Sequence, residues 1–287
     1  MKIPKKYQST WTLPNNAKLA FTVGIPFEAF LNQSQVNLIA KPGVKDAFSL
    51  SYGDYGWKVG VWRLMSLLEE FGVTASMSVN GLAAQLHPEI IKVMIEQGHE
   101  VLGHGWVNDV YVKDEGPEKE SAEIERVTKA IEQACGVRPV GWTSPGSSGS
   151  DHTVELLSKH GYTWVGDDAS DDIPFVVNTA TGPFVILPRT NVSTNDITMW
   201  VFPKNPPSAF FESFKDTFDQ LYAEGAAGSP KWLDLTLHSH MAGRATLIPT
   251  IRKCLEYVKQ HDGIFYTRKC DLAAQALADH EDSLKRS

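Results

Sequence analysis

The sequence predicts an α/β fold, a single (β/α) barrel of about seven strand-then-helix units. Three observations carry that expectation. Short apolar runs rich in β-branched residues alternate with longer runs at helical spacing through most of the 287 residues. No low-complexity or linker-like stretch marks a boundary, so 1–287 reads as one domain with peripheral tails at 1–17 and 280–287. The alternative, a doubly wound open sheet, lacks the glycine fingerprint of dinucleotide binding after its first strand.

The first strand is expected over Lys18–Ile25, ended by Pro26, with Glu28 just beyond it. Pro26 to Trp57 then reads as a connection of roughly thirty residues, a length that in compact domains marks lids or binding loops. Lys58–Phe71 repeats Val61, Leu64, Leu68 and Phe71 at helical spacing and stops at Gly72. Val73–Val79 is a strand and Pro88–Gln97 a helix closed by Gly98. The stretch from Gly98 to Asp109 reads as a strand that stops at His104, followed by a turn of hydrogen-bonding side chains. Glu118–Ala134 is an amphipathic helix, Arg138–Thr143 a strand, and Asp151 is expected to cap a helix running to His160. Tyr162–Val165 is a strand, and 167–205 loosens into short strands and proline turns. A helix over Pro207–Glu224, a strand over Trp232–His238, a helix over Leu247–Gln260, a strand over Ile264–Thr267 and a helix over Asp271–Asp279 complete the chain.

Composition excludes several classes of function. The net charge of −7, without a long lysine or arginine run, argues against a nucleic-acid surface. No run of about eighteen apolar residues is present, so no membrane-spanning helix is expected. Three widely spaced cysteines rule out a disulfide framework and a cysteine-rich zinc site, and fit a reducing, cytoplasmic compartment. The first dozen residues carry no apolar signal region.

The clearest geometric statement is Asp234, Thr236, His238 and His240, which share one side of a strand by its period of two. Leu233, Leu235 and Leu237 take the other. A barrel strand with a wholly polar face points to a cavity at the strand tips, although each histidine could equally be a hydrogen-bonded structural residue. His104 and Glu28 also stand at strand ends, where such folds place their chemistry. Asp167, Asp168, Asp171 and Asp172 crowd one loop, where turn capping is the commoner outcome. Trp142-Thr143-Ser144-Pro145-Gly146 ends another strand and could shape a pocket floor, but Ser144 lacks the surroundings of a hydrolase nucleophile.

In this order the segments resemble the polysaccharide deacetylase family (carbohydrate esterase family 4), over about Leu19–Ala274. Gly98-His99-Glu100 leading to His104 is similar to the family's G-H-E strand and the start of its H-x-x-x-H metal motif. Arg138 to Pro145 is similar to its R-x-P stretch, and Leu235-Thr236-Leu237-His238 to its L-x-L-H strand. Tyr55-Gly56, Gly60-Val61-Trp62-Arg63-Leu64, His104-Gly105-Trp106, Asp171-Asp172-Ile173-Pro174-Phe175 and His238 to Arg244 resemble the branch that holds metal-independent allantoinase and cyclic imide hydrolases. The resemblance implies an irregular (β/α)7 barrel and His238 as general acid.

The departures are as informative. The family's two aspartates after the first strand read Gly24 and Pro26 here, and its second ligand histidine reads Asn108. Of its Asp-His-His set only His104 remains, whereas a catalytic Zn²⁺ normally takes three protein ligands. The expectation is therefore a hydrolase of non-peptide C–N bonds that opens a small cyclic amide, imide or ureide without a metal. Glu28 would be the base, with its pKa raised by partial burial; His238 would protonate the leaving nitrogen. His104, oriented by Asn108 or Asp109, would place the water or the oxyanion. Trp106 and Trp142 are expected as pocket walls, Ser144, Pro145, Asp172 and His240 as further substrate contacts, and the long loop as a lid. Arg63 and Arg244 read as structural, with a substrate carboxylate as a second use. Three alternatives stand beside it: one Zn²⁺ held by Glu28, His104 and His238 or His240; a metal-dependent N-deacetylase of amino sugars; and an inactive ligand-binding barrel. A homo-oligomer acting on a small molecule is expected.

Overall fold

The computed structural model describes residues 11–34, 44–189, 193–201 and 203–286. Strand β1 (Leu19–Phe27) is central. It pairs in parallel with β8 (Lys231–Thr236) on one side, and on the other with β2 (Ser76–Val79) near its end and β9 (Ile264–Tyr266) near its start. The sheet continues in parallel through β3 (Glu100–Gly103), β4 (Gly141–Trp142), β5 (Trp164–Val165) and β7 (Gly182–Ile186). β6 (Phe175–Thr179) then adds antiparallel at the edge. Among the described residues no ladder closes the ring between the edge strand β6 and β8. An isolated parallel bridge, Asn195 to Thr236, lies along this seam, with the Thr236 N–H donating to the Thr194 carbonyl at 3.0 Å. This is the α/β barrel the alternation predicts, with one irregular seam.

Helices α2 (Val61–Phe71), α4 (Pro88–Glu96), α5 (Pro117–Cys135), α7 (Pro207–Ala226) and α9 (Ile248–Lys259) cover the outside. Phe21, Val23, Ile25 and Phe27 of β1 face them and are buried with Leu64, Ile91, Ile124, Phe214 and Ile251. The intervening residues look inward, as a period of two requires. Ala20 meets Trp164 and Trp232 at the barrel floor, and Thr22 hydrogen-bonds Asp234 at 2.7 Å. Gly24, Pro26 and Glu28 line a cavity above it. The interior thus runs from an apolar floor to a polar mouth at the carboxyl ends of the strands, where (β/α) barrels carry their chemistry.

Several expectations need correction. Pro26 does not end β1, which runs on to Phe27. The Gly24 carbonyl accepts the Leu237 N–H on the β8 side, and Pro26 faces that side beyond the last paired residue, so its missing N–H costs no ladder bond. The connection after β1 is not all loop. Asp46 accepts the N–H groups of Phe48 and Ser49 and starts helix α1 (Ala47–Tyr55); residues 35–43 of the expected lid lie outside the described residues. Asp151 does not cap α6 (Thr153–Lys159); its N-terminal turn is held by Ser150 and Thr153 instead. Trp11, Leu13 and Ala17, assigned to a peripheral tail, are buried against Trp164 and Trp232 and plug the barrel floor. Two short helices, α3 (Gly81–Leu86) and α8 (Ser239–Ala242), follow strands directly, and α10 (Lys269–Arg286) outruns its expected end. Among the described residues no helix is long and apolar enough to cross a membrane.

Candidate active site

Glu28 follows the last residue of β1, His104 the last residue of β3, and His238 lies two residues past β8. Three strand tips therefore bring one carboxylate and two imidazoles together. Glu28 Oε1 is 3.5 Å from His104 Nε2 and 3.7 Å from His238 Nε2. His240, on α8, approaches from behind, its Nδ1 3.5 Å from Glu28 Oε2. Side-chain exposures of 1% for Glu28, 5% for His104, 9% for His238 and 1% for His240 make this a buried cluster.

Each imidazole is oriented by a different partner. His104 Nδ1 lies 2.6 Å from the Thr143 carbonyl. A carbonyl only accepts, so this nitrogen carries hydrogen and Nε2 is turned to Glu28. His238 Nδ1 lies 2.6 Å from Asp196 Oδ1, while Asp196 Oδ2 accepts the His238 backbone N–H at 2.9 Å. Asp196 arrives on the segment that follows β7 and runs along the open seam beside β8. Asn80, just past β2, ties two of the tips together: its Oδ1 accepts the Ala29 N–H at 2.9 Å and its amide nitrogen donates to the His104 carbonyl.

Electrostatics separate the roles. Burial pushes the Glu28 carboxyl up, but the positive field of His238 and the neighbouring His104 and His240 imidazoles outweigh it and hold the pKa below the ordinary value. The rise expected from burial alone is corrected accordingly. His238 goes the other way. Burial opposes its charge, yet Asp196 and Glu28 together raise its pKa above the ordinary imidazole value. Burial lowers His240 to about 4, so it is neutral near pH 7. Neither His240 nitrogen nor Glu28 Oε2 has a hydrogen-bond partner.

A cavity of about 270 Å³ opens onto this cluster. Its wall includes Glu28, His104, His238, Ser144, Thr143 and Arg189. Other expected contacts are elsewhere. Trp106 is turned away and stacks under the Arg126 guanidinium, 3.3 Å from the ring centroid. Trp142 lies behind the wall, its Nε1–H donating to Ser144 Oγ at 3.1 Å. Pro145 packs beside it, against Gly105. Asp109 orients no imidazole; it accepts the N–H groups of Leu31, Asn32 and Gln33 and anchors the chain after Glu28. Asn108 is buried, outside the cavity wall, with its amide unpartnered. Asp172 is exposed, and its carbonyl accepts the N–H of Trp232 at the opposite end of β8. None of the described residues between 29 and 57 lines the cavity. Arg63 is bound to Tyr55 Oη and the Gly243 carbonyl, and Arg244 to the His240 and Tyr52 carbonyls, so both are structural.

Sequence reasoning missed Asn80, Thr143, Asp196 and Arg189. The Thr143 position was visible as a strand end, but nothing in the periodicity of 167–205 singles out Asp196 or Arg189.

The metal that the family resemblance implies does not find its donors. Gly24 and Pro26 offer no side-chain ligand, and the Lys269 ammonium lies 2.7 Å from where a Cβ on Gly24 would stand, so a cation already fills that space. Among the described residues no group of three or more His, Cys, Asp or Glu side chains is placed to hold a metal ion, the set Glu28, His104 and His238 or His240 included.

Comparisons with known proteins bear on the fold and the family likeness. Residues 41–165 match the polysaccharide deacetylase family model. A putative polysaccharide deacetylase of Schizosaccharomyces pombe is 27% identical over 93% of this chain and 92% of its own. A peptidoglycan deacetylase of Helicobacter pylori is 23% identical over 83% of this chain and 88% of its own. Among solved structures, the Puue allantoinase superposes with a TM-score of 0.84 at 28% identity, covering 93% of both chains. A probable polysaccharide deacetylase from Pseudomonas aeruginosa gives 0.83 at 27% identity, over 93% of this chain and 94% of its own.

Proposed function

We infer that this polysaccharide-deacetylase-like chain is a hydrolase of C–N bonds other than peptide bonds, and that it opens a small cyclic amide, imide or ureide. One observation carries the reading: Glu28 Oε1 lies between His104 Nε2 and His238 Nε2, at 3.5 and 3.7 Å, on the wall of a confined cavity. Hydrolysis needs a base for water and an acid for the leaving nitrogen. Glu28, held ionised by its imidazole neighbours, removes the proton as water attacks the carbonyl carbon. His104 Nε2 accepts the water's other hydrogen and aims it. As the C–N bond breaks, the nitrogen leaves with its electron pair and takes a proton from His238 Nε2, which the Asp196 carboxylate keeps charged. A carboxylate and an arm carrying the released nitrogen, as an amine, amide or urea according to the ring, remain on the opened product.

The buried position of all three groups favours a small substrate over a polymer, which needs an open groove, and the likeness to an allantoinase supports ring opening. The relatives named deacetylases favour a second reading, removal of acetyl groups from amino sugars. A panel of succinimide, hydantoin, allantoin, dihydropyrimidines and acetylated chitooligosaccharides, run with and without chelator, tests both. Turnover of a ring compound is expected, unaffected by chelator; turnover confined to the oligosaccharides would refute the reading. Glu28→Gln is expected to lower kcat by about 10²–10⁴-fold. The expected homo-oligomer would cover Phe48 and Trp62, exposed at 71% and 40% on α1 and α2; a monomer in sedimentation at all concentrations would remove it. Three free cysteines fit the cytoplasmic reading.

A further inference from the structure

Two basic side chains line the cavity, Lys269 and Arg189, and they are not equivalent. Lys269 Nζ lies 2.9 Å from Asp234 Oδ2, with side-chain exposures of 4% and 1%, so its charge is neutralised inside the barrel. Among the described residues Arg189 is paired only loosely, with Asp167. Its backbone N–H is held by the Asp168 carbonyl at 2.6 Å, and its guanidinium reaches the neutral hydroxyl of Ser147. The nearest carboxylate oxygen, Asp167 Oδ1, is 3.9 Å away and already accepts the Ser144 N–H at 2.8 Å. A guanidinium presents five N–H donors in a planar fork suited to a carboxylate. Here the side chain lines the cavity and is only 13% exposed. Its charge is close enough to His238 to oppose that imidazole's protonation.

We propose that Arg189 receives a carboxylate carried by the substrate, so that the ring opened at Glu28 bears an anionic group on or beside it. The ring half of this statement rests on the function proposed above; the anionic half rests on Arg189 alone. A carboxylate brought into a buried site beside Glu28 is unfavourable without a compensating cation, and a charge-assisted bidentate pair supplies one. Arg63 and Arg244 cannot substitute, because their forks are spent on backbone carbonyls.

Matched rings differing only by a carboxylate test the assignment. Dihydrouracil against dihydroorotate, and hydantoin against hydantoin-5-acetate, are compared on the full chain by calorimetric binding and by kcat/KM. The acid is expected to be preferred by about ten- to a hundredfold, the range for a hydrogen bond to a charged group. Arg189→Met should bring that ratio to near one, Arg189→Lys should keep part of it, and added guanidinium ion should restore part of it to the methionine variant. Circular dichroism of each variant checks that it folds. No preference in either pair, or a preference that survives Arg189→Met, overturns the proposal. A preference in binding without hydrolysis of any ring keeps Arg189's role and rejects the ring-opening reading. Hydrolysis without preference does the reverse.

Discussion

Replacing Asp196 with asparagine isolates the acid half of the mechanism. The carboxylate uses both oxygens on one residue, Oδ1 for the His238 imidazole at 2.6 Å and Oδ2 for its backbone N–H at 2.9 Å. An amide has one acceptor oxygen, so either the ring or the backbone N–H must face an NH₂ group. Losing a hydrogen bond to a charged group costs about 1.5–3 kcal/mol. At 1.36 kcal/mol per pKa unit, the His238 pKa should fall by roughly 1–2 units from its raised value. Because the proton donor must be protonated, the basic limb of kcat/KM against pH should move down by the same amount. The acid limb belongs to Glu28 and should stay below the usual carboxylate range. The loss in kcat is expected at about 10²–10⁴-fold, as for other misplaced general acids. A raised folded pKa also means that His238 stabilises the fold fully below its unfolded value of about 6.5 and loses that contribution as pH rises through the folded value. The variant's stability deficit should therefore shrink in alkaline solution. Imidazole NMR titration of both proteins gives the pKa directly. An unmoved His238 titration, or a basic limb that stays where it was, would refute the assignment of Asp196.

Buried neutral histidines predict acid sensitivity from a different quarter. Burial, aided by Arg268, lowers His99 to about 4, and the unfolded chain binds its proton below about 6.5, so stability should fall between those values and flatten beneath them. His99→Gln should weaken that slope in melting experiments across pH 4–7. Lys269→Met strands Asp234 inside the barrel and should cost about 3–5 kcal/mol in denaturant titration, with Asp234→Asn in the same chain recovering part of it. Gly141→Ala places a Cβ 2.0 Å from the Trp164 indole and should destabilise by about 1–3 kcal/mol or more, because a fully buried indole has nowhere to move. An unchanged unfolding midpoint in either variant would contradict the packing described.

What the sequence disclosed and what it hid divide along a physical line. Period-two alternation needs only local geometry, and it put Asp234 and Thr236 on the inner side of β8 and Glu28 and His104 at strand tips, whereas His238 lies just past the strand and His240, expected on the same face, is on α8. Side-chain direction beyond a strand depends on the turn taken. Gly105, at φ +63, swings the chain so that Trp106 reaches out to Arg126 on α5 rather than into the cavity. The Glu28 pKa went the wrong way because burial can be guessed from one position, whereas the imidazoles that overrule it come from elements far apart in the chain. The same holds for Asp196 and Arg189. Both sit on the segment that leaves β7 and runs along the open seam beside β8, and a seam between non-neighbouring strands leaves no periodic trace in either segment. That seam is also what makes the site possible. A completed ladder would fill the gap with backbone partners, whereas the open seam admits a segment that delivers the Asp196 carboxylate to His238 and the Arg189 charge to the cavity wall. Asp196 and Arg189 join the strand-tip cluster from the irregular edge of the barrel because there a side chain can enter from outside the regular alternation.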